Sequence, residues 1–156
     1  MPARPDSSDP ARTASSDPSR TVRTRRRRLG DLAENLVATH LAGLGWTILA
    51  AGVRVGRDEL DLICLDPGTA PTLVFVEVRS RSSSRFGAPE ETTGSAKIAR
   101  TYRAAFALLR QRRLPDARSL PRLPWRVDLV TVDARPIAGL APQEARIRHI
   151  RGVTPD

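Results

Sequence analysis

The chain has 156 residues, the size of one ordinary domain. Hydrophobic residues make up 40% of it, yet no window approaches the roughly 18 consecutive apolar residues of a membrane helix, so we expect no membrane association. The single cysteine, Cys64, excludes an internal disulfide framework, and no apolar segment typical of a secretory signal lies near the N-terminus. A cytoplasmic protein is therefore expected.

The positive charge is concentrated at the N-terminus. The net charge is +9, and residues 1–28 supply more than half of it, with eight arginines, three aspartates and almost no apolar side chains. Such a segment buries too little surface to offset its ordering entropy, so residues 1–28 are predicted to be a disordered arm. The arm is interpreted either as a solvated tail or as a segment that contacts nucleic-acid phosphates. Because 25 of the 26 basic residues are arginine, GC-rich codon usage is a further explanation of the charge.

Residues 29–156 are predicted to form one α/β domain. Apolar residues at helical spacing predict helices, and short apolar runs bounded by glycine and proline predict strands. The predicted segments, in chain order, are helix 29–44, strands 46–50, 60–65 and 73–78, helix 95–112 and strand 126–132, with 145–150 as a candidate fifth strand. This order predicts a mixed central β-sheet flanked by helices.

Two carboxylates lie in strands that are otherwise apolar. Asp61 lies in the second predicted strand and Glu77 in the third, where a carboxylate is costly unless it is paired or binds a metal. If these strands form a hairpin whose loop centres near Thr69, Asp61 lies opposite Glu77, and Glu59 lies opposite Arg79. Like charges so placed repel each other unless a cation lies between them or one carboxyl takes a proton. A divalent cation with carboxylate ligands would resolve the repulsion.

The same carboxylates also have an ordinary structural interpretation. Each would then be matched by a nearby arginine: Glu77 by Arg79 or Arg81, and Asp61 by Arg54 or Arg57. In addition, a slip of one residue in the hairpin register would place the two carboxylates on opposite faces of the sheet. The residues alone leave both interpretations open.

Two short motifs resemble a known family. They read Gly-Arg-Asp-Glu-Leu-Asp-Leu-Ile at 56–63 and Val-Phe-Val-Glu-Val-Arg-Ser-Arg at 74–81, and they resemble the YraN-like family of small bacterial proteins. Further segments are similar to that family in the same order along the chain: 30–34, 85–89, Lys97 and 126–130. The resemblance covers about residues 29–132. It implies the PD-(D/E)xK nuclease-like superfamily and a restriction-endonuclease-like core.

The resemblance also implies roles for individual residues. Asp61 and Glu77 stand at the two acidic metal-binding positions of the superfamily, and Arg79 stands where a lysine is usual; these three would be the catalytic residues. Glu59 or Glu34 would complete the ligands of an Mg²⁺ or Mn²⁺ ion. It also places the basic residues Arg81 and Lys97 near the site, where they would bind nucleic acid. The charge of the arm, independently of the resemblance, adds Arg25, Arg26, Arg27 and Arg28 to the residues expected to bind nucleic acid.

Two positions depart from the pattern of the family. Asp58 stands where the family more often has glycine, and Arg79 replaces the lysine. A lysine can orient a water molecule or help to deprotonate it. Arginine is always charged, so it cannot act as a base, although it can stabilise negative charge on a phosphate.

Three hypotheses about function follow. The first is a metal-dependent endonuclease that acts on DNA, with branched DNA among the candidate substrates. The second is a nucleic-acid-binding module that keeps the fold without catalysis, which the arginine at position 79 favours. The third is an adaptor that binds a partner protein through its arginine-rich arm. The sequence determines neither the choice between DNA and RNA nor the oligomeric state.

Overall fold

A computed structural model of the chain describes residues 18–81, 90–133 and 146–156. The predicted order of helix, three strands, helix and one or two strands is confirmed, with two strands at the end. The elements are α1 (Pro18–Gly43), β1 (Thr47–Val55), β2 (Asp58–Asp66), β3 (Thr72–Arg81), α2 (Glu90–Gln111), β4 (Trp125–Asp133) and β5 (Arg146–Ile150). No helix in these ranges is long and apolar enough to span a membrane.

The five strands form one sheet in the order β1-β2-β3-β4-β5. All neighbouring strands are antiparallel except β3 and β4, which run parallel. Parallel neighbours need a crossover connection, and α2 lies in the segment that joins them. The predicted α/β class with a mixed central sheet is therefore confirmed, and the arrangement is consistent with a restriction-endonuclease-like core.

A helix covers each face of the sheet, which gives two hydrophobic clusters. On the face that we call the α1 face, the buried residues of α1 and the sheet include Ala33, Val37, Leu41, Leu62, Cys64, Val74, Val76 and Val130. On the α2 face, they include Ala104, Ala105, Leu108, Ile63, Leu73, Phe75 and Val127. Strand β3 contributes to both clusters, which explains its continuous apolar run.

Helix α1 begins at Pro18, eleven residues before the predicted start at residue 29. Residues 18–28 of the predicted disordered arm therefore have helical backbone. Propagation of the helix explains the difference. Once packing fixes the later turns, each residue added at the N-terminal end contributes a backbone hydrogen bond, and arginine has a good helix propensity. Residues 1–17 of the arm lie outside the described residues.

Strand β1 also extends beyond the predicted 46–50. The prediction missed its later part because an irregularity in the strand hides the alternation of apolar and polar residues. The pairing of β1 with β2 shifts register between Ile48 and Ala50, and Gly52 has a φ of +59°. A bulge of this kind breaks the alternation of side chains between the two faces. The later part of β1 therefore lacks the regular pattern by which a strand is recognised in sequence.

A buried polar network, the distal network, joins β2, β4 and β5 on the α1 face. The carboxylate of Asp128 is fully buried; it accepts hydrogen bonds from Arg126 Nε at 2.9 Å and from Gly152 N–H at 2.9 Å, and it lies 2.8 Å from His149 Nε2. Arg126 also donates to Asp66 at 2.7 Å. Burial raises the pKa of Asp128, but the bonds with His149, Arg126 and Gly152 outweigh burial and leave the pKa below its ordinary value.

Replacement of Asp128 by alanine should destabilise the fold strongly. Asp128→Ala removes the buried carboxylate that Arg126, His149 and Gly152 N–H share and leaves Arg126 with Asp66 alone, so we expect a loss of about 3–5 kcal/mol in the free energy of unfolding, measured by urea titration at pH 7. Because the pKa of Asp128 is lowered in the folded state, its contribution is present above about pH 4 and is lost in more acid solution. The difference in the free energy of unfolding between Asp128→Ala and the wild type should therefore become smaller below about pH 4.

The matched control is Asp116→Ala, which removes an exposed carboxylate paired with Arg118. An exposed ion pair contributes little to stability, so the urea midpoint of this variant should equal that of the wild type. A loss in Asp128→Ala no larger than in Asp116→Ala would contradict the role of the distal network.

Candidate active site

The hairpin of β2 and β3 has the predicted register. Leu65 pairs with Leu73, and the pairing continues to Leu62 and Val76. Beyond that pair the two strands separate. Residues 58–60 of β2 pair with β1, whereas residues 77–81 of β3 pair with β4. We call the opening between residues 58–61 and 77–81 the strand fork.

Asp61 lies where the fork opens. Its carboxylate accepts a hydrogen bond of 2.8 Å from the backbone N–H of Val78, so a side chain satisfies a donor on β3 beyond the last backbone pair of the hairpin. Side chains alternate along a strand, and Ile63 belongs to the α2 face, so Asp61 belongs to that face as well. The same alternation from Phe75 places Glu77 there. The two carboxylates therefore share one face of the sheet.

Glu77 is buried, with 5% of its surface exposed, and α2 supplies its partners. The hydroxyl of Thr101 donates to Glu77 Oε2 at 2.9 Å, and Lys97 Nζ lies 3.5 Å from Glu77 Oε1. In the predicted alternative Arg79 or Arg81 pairs with Glu77; Arg79 instead donates to the carbonyl of Gly94, and the side chain of Arg81 lies outside the described residues. Thr101 and Lys97 lie one helical turn apart, so a single face of α2 holds both oxygens of the carboxylate.

The acidic pair is electrostatically unfavourable in the folded protein. Burial and the negative charge of Glu77 raise the pKa of Asp61 to about 7, with a smaller increase from Glu34. The N–H of Val78 and the charge of Lys97 act in the opposite direction. Near neutral pH, Asp61 is therefore poised between its protonated and ionised forms. A perturbed carboxyl with a specific charged neighbour is typical of functional sites.

Glu34 and Glu59, the other predicted metal ligands, lie at the margin of the fork. Glu34 comes from α1 and is half-buried; burial and the charges of Asp31, Glu59 and Glu77 raise its pKa. Glu59 is exposed, and one carboxylate oxygen lies 3.6 Å from where a Cβ on Gly52 would be.

Within residues 18–81, 90–133 and 146–156, no three carboxylate, histidine or cysteine side chains are arranged to hold a metal ion. The ligand set of Asp61, Glu77, Glu59 and Glu34 stays a prediction. Glu59 lies beside Gly52 of β1, and Glu34 extends from α1 on the opposite face, although its charge still raises the pKa of Asp61. Asp61 and Glu77 are the two carboxylates that the sheet itself brings together. Their oxygens are of the kind that Mg²⁺ and Mn²⁺ prefer.

Arg79 lies on the same side of β3 as Glu77, but its guanidinium is directed to the start of α2. Its Nη2 donates to the carbonyl oxygen of Gly94 at 2.8 Å. A Cβ on Gly94 would lie only 3.0 Å from Nη1, so the absence of a side chain there permits the close approach. The Nε of Arg79 is buried and has no hydrogen-bond partner among the described residues.

The remaining basic residues of the prediction are only partly described. Arg27 and Arg28 are exposed on α1. The side chains of Arg25, Arg26 and Arg81 lie outside the described residues, as do residues 85–89 of the resemblance.

Sequence reasoning missed two residues of α2 that border the fork. Thr101 is a buried polar residue on the apolar stripe of the helix, and this was the signal that could have identified it. Arg103 makes two hydrogen bonds of 2.7 Å to the carboxylate of Asp58. Asp58, which departs from the usual glycine, thus ties the first residue of β2 to α2, and the hydrogen bond from Arg103 lowers its pKa.

Comparison with known proteins identifies the family. The sequence model of uncharacterised protein family UPF0102 matches residues 33–132. The chain is a member of UPF0102. A UPF0102 protein of Roseiflexus castenholzii is 38% identical over 126 residues, which cover 81% of this chain and 92% of the relative. One from Corynebacterium efficiens is 40% identical over 118 residues, which cover 76% and 88%. The resemblance to YraN-like proteins is thereby confirmed.

The UPF0102 match includes the whole fork. Glu34, Asp61, Glu77, Arg79 and Lys97 all lie between residues 33 and 132, whereas the arginine-rich residues before Ala33 lie outside the match.

Neutralising Asp61 should stabilise the protein at alkaline pH. Because the pKa of Asp61 is raised from 3.8 to about 7, ionisation of this group in the folded state costs stability as the pH rises. Asp61→Asn keeps an oxygen for Val78 N–H and removes the charge. It should raise the free energy of unfolding at pH 8.5 by up to about 4 kcal/mol, with little difference at pH 3.5.

Thermal unfolding at both pH values measures this effect. Asp58→Asn provides an opposite control, because Arg103 lowers the pKa of Asp58 and loss of that charge should reduce stability at pH 8.5. Equal unfolding midpoints for Asp61→Asn and the wild type at pH 8.5 would show that the acidic pair carries no such cost.

Proposed function

We propose that this UPF0102 protein is a metal-dependent phosphodiesterase of the endonuclease type, acting on DNA. The observation that carries the proposal is the acidic pair at the fork: Asp61 and Glu77 share one face where two antiparallel strands separate, and they repel each other. A fold rarely retains such an unfavourable arrangement unless the site uses it.

A divalent cation bound between the two carboxylates would replace their mutual repulsion with attraction to the metal. Asp61 is oriented by Val78 N–H and Glu77 by the Thr101 hydroxyl, so each carboxylate has an oxygen fixed by the protein. Mg²⁺ commonly uses one or two protein carboxylates and takes its other ligands from water and phosphate. A two-carboxylate site is therefore sufficient for Mg²⁺ or Mn²⁺ when the substrate supplies further oxygens. When bound, the metal would lower the pKa of a coordinated water and polarise the phosphodiester.

Exposed basic residues on both helices fit a polyanionic substrate. Lys97 reaches the acidic pair, Arg100 is exposed further along α2, and Arg27 and Arg28 are exposed on α1. Such residues attract the phosphate backbone without regard to base sequence. They support nucleic acid as the class of substrate, and we choose DNA as the form to test first.

A nucleic-acid-binding module without catalysis is the second candidate. Two observations favour it: no group of three metal ligands is arranged in the described ranges, and an arginine replaces the usual lysine. In that case the acidic pair would have no catalytic role, and nucleic-acid binding would depend on the basic residues alone.

Metal-dependent cleavage distinguishes these two candidates. The purified protein is incubated with linear, single-stranded, flapped and four-way-junction DNA and with structured RNA, in Mg²⁺, in Mn²⁺ and in chelator. We expect cleavage of at least one DNA only when metal is present. Asp61→Ala and Glu77→Ala should each reduce the rate at least about 100-fold, because each removes one of two ligands.

Asp116→Ala is the matched control for an acidic residue outside the fork, and it should cleave at the wild-type rate. Cleavage that persists in both fork variants would identify a contaminating nuclease. Salt-dependent DNA binding without cleavage of any substrate would favour the binding module.

The basic residues of α1 are tested by the salt dependence of DNA binding. Arg27→Ala with Arg28→Ala preserves the helix, since alanine has the highest helix propensity, and removes two positive charges. The slope of log affinity against log salt should become shallower by about 0.9 for each lost phosphate contact.

The control is Arg122→Ala, which removes an exposed charge shortly before β4, at the end of the sheet away from the fork. DNA binding is measured by fluorescence anisotropy at several salt concentrations. The slope of log affinity against log salt for Arg122→Ala should match that of the wild type. An unchanged slope in the Arg27 and Arg28 double variant would show that this part of α1 does not contact DNA.

A further inference from the structure

We propose that Lys97, and not Arg79, supplies the positive charge at the acidic pair, and that Arg79 is a positioning residue that fixes the turn of α2 from which Lys97 extends. This inference rests on the proposed function for its catalytic consequence, but the placement of charge that it asserts can be tested without cleavage. It reassigns to α2 the role that the superfamily pattern places on β3.

The contacts of Lys97 suit this role. Its Nζ lies 3.5 Å from Glu77 Oε1, while Thr101 from the next turn binds Oε2 of the same carboxylate. Its side chain is 49% exposed, whereas that of Glu77 is 7% exposed. The ammonium therefore lies between the buried carboxylate and solvent, on the side from which a phosphate would approach. An exposed cation so placed can stabilise negative charge that develops on the substrate.

The contacts of Arg79 do not suit the role of supplying positive charge to the acidic pair. The guanidinium donates to the carbonyl of Gly94, and its Nη1 lies where a side chain at position 94 would intrude. Its Nε is shielded from solvent and has no partner in the described ranges, so that edge is not presented to an incoming anion. An arginine in this position joins β3 to α2 more firmly than a lysine would, because its planar group donates in a fixed direction.

The two roles are connected through a single helical turn. Gly94 lies three residues before Lys97, about one turn of α2. The bond from Arg79 to Gly94 therefore fixes the height of this turn above β3, and Lys97 extends from it towards Glu77, two residues before Arg79 on the same strand. The strand that carries the carboxylate thus sets the position of the helix that neutralises it.

Stability at two pH values tests the placement of charge without metal or substrate. The charged and titratable groups at or bordering the fork are Asp58, Glu59, Asp61, Glu77, Arg79, Asp31, Glu34, Lys97 and Arg103. In Lys97→Met, the acidic pair loses its counter-charge, so the unfolding midpoint should fall by about 2–4 °C at pH 8.5 and by less at pH 3.5, because the raised pKa of Asp61, about 7, leaves that carboxyl uncharged in acid. In Arg79→Met, the lost bond is to a carbonyl, so the midpoint should fall equally at both pH values.

Cleavage tests the catalytic consequence. Lys97→Met should reduce kcat by about 100-fold, since removal of one preorganised charge-stabilising group typically has this effect, and Lys97→Arg should restore a large part of it. Arg79→Met should reduce kcat less than about tenfold at a temperature where the variant is fully folded. Arg79→Lys should resemble Arg79→Met rather than the wild type.

Opposite results would overturn the inference. A fall in the midpoint restricted to pH 8.5 in Arg79→Met, together with no change in Lys97→Met, would place the charge on Arg79. Wild-type kcat in Lys97→Met would show that Lys97 does not supply the catalytic charge. If the wild type cleaves no substrate, the proposed function fails, and the comparison at two pH values still decides which residue supplies the charge.

Discussion

The hydrogen bond from Val78 N–H to the carboxylate of Asp61 is the interaction on which the geometry of the site depends. It lies just beyond Leu62 and Val76, the last backbone pair between β2 and β3. Because a side chain takes over this donor, β2 can turn towards β1 and β3 towards β4 without leaving Val78 N–H unsatisfied. The fork, the shared face of the acidic pair and the access of α2 to Glu77 all follow from this separation.

The buried carboxylates on the two faces of the sheet differ in their net effect on stability. At the distal network, Asp128 has bonds with Arg126, His149 and Gly152, which together outweigh the cost of burial. At the fork, Asp61 has one backbone donor and a negatively charged neighbour, so burial dominates. The distal network therefore contributes stability, whereas the acidic pair at the fork reduces it.

The elements that local pattern determines were predicted well. The hairpin register followed from the symmetry of a loop near Thr69, and the burial of β3 on both faces followed from its unbroken apolar run. The failures concern features that depend on distant packing. The register shift in β1 and the early start of α1 have no periodic signal, and the partners of Glu77 lie 20 and 24 residues further along the chain on a helix whose rotation the sequence leaves undefined.

The position of α2 in the chain has a consequence for the order in which the protein folds. Asp61 and Glu77 belong to one hairpin and meet through local contacts, whereas Lys97 and Thr101 arrive only when the crossover helix docks and β4 pairs in parallel with β3. Local contacts form before those that close long loops. The acidic pair is therefore expected to form before its counter-charge arrives. Repulsion between Asp61 and Glu77 would then destabilise the isolated hairpin at neutral pH. The docking of α2 would both allow the sheet to be completed and relieve that repulsion.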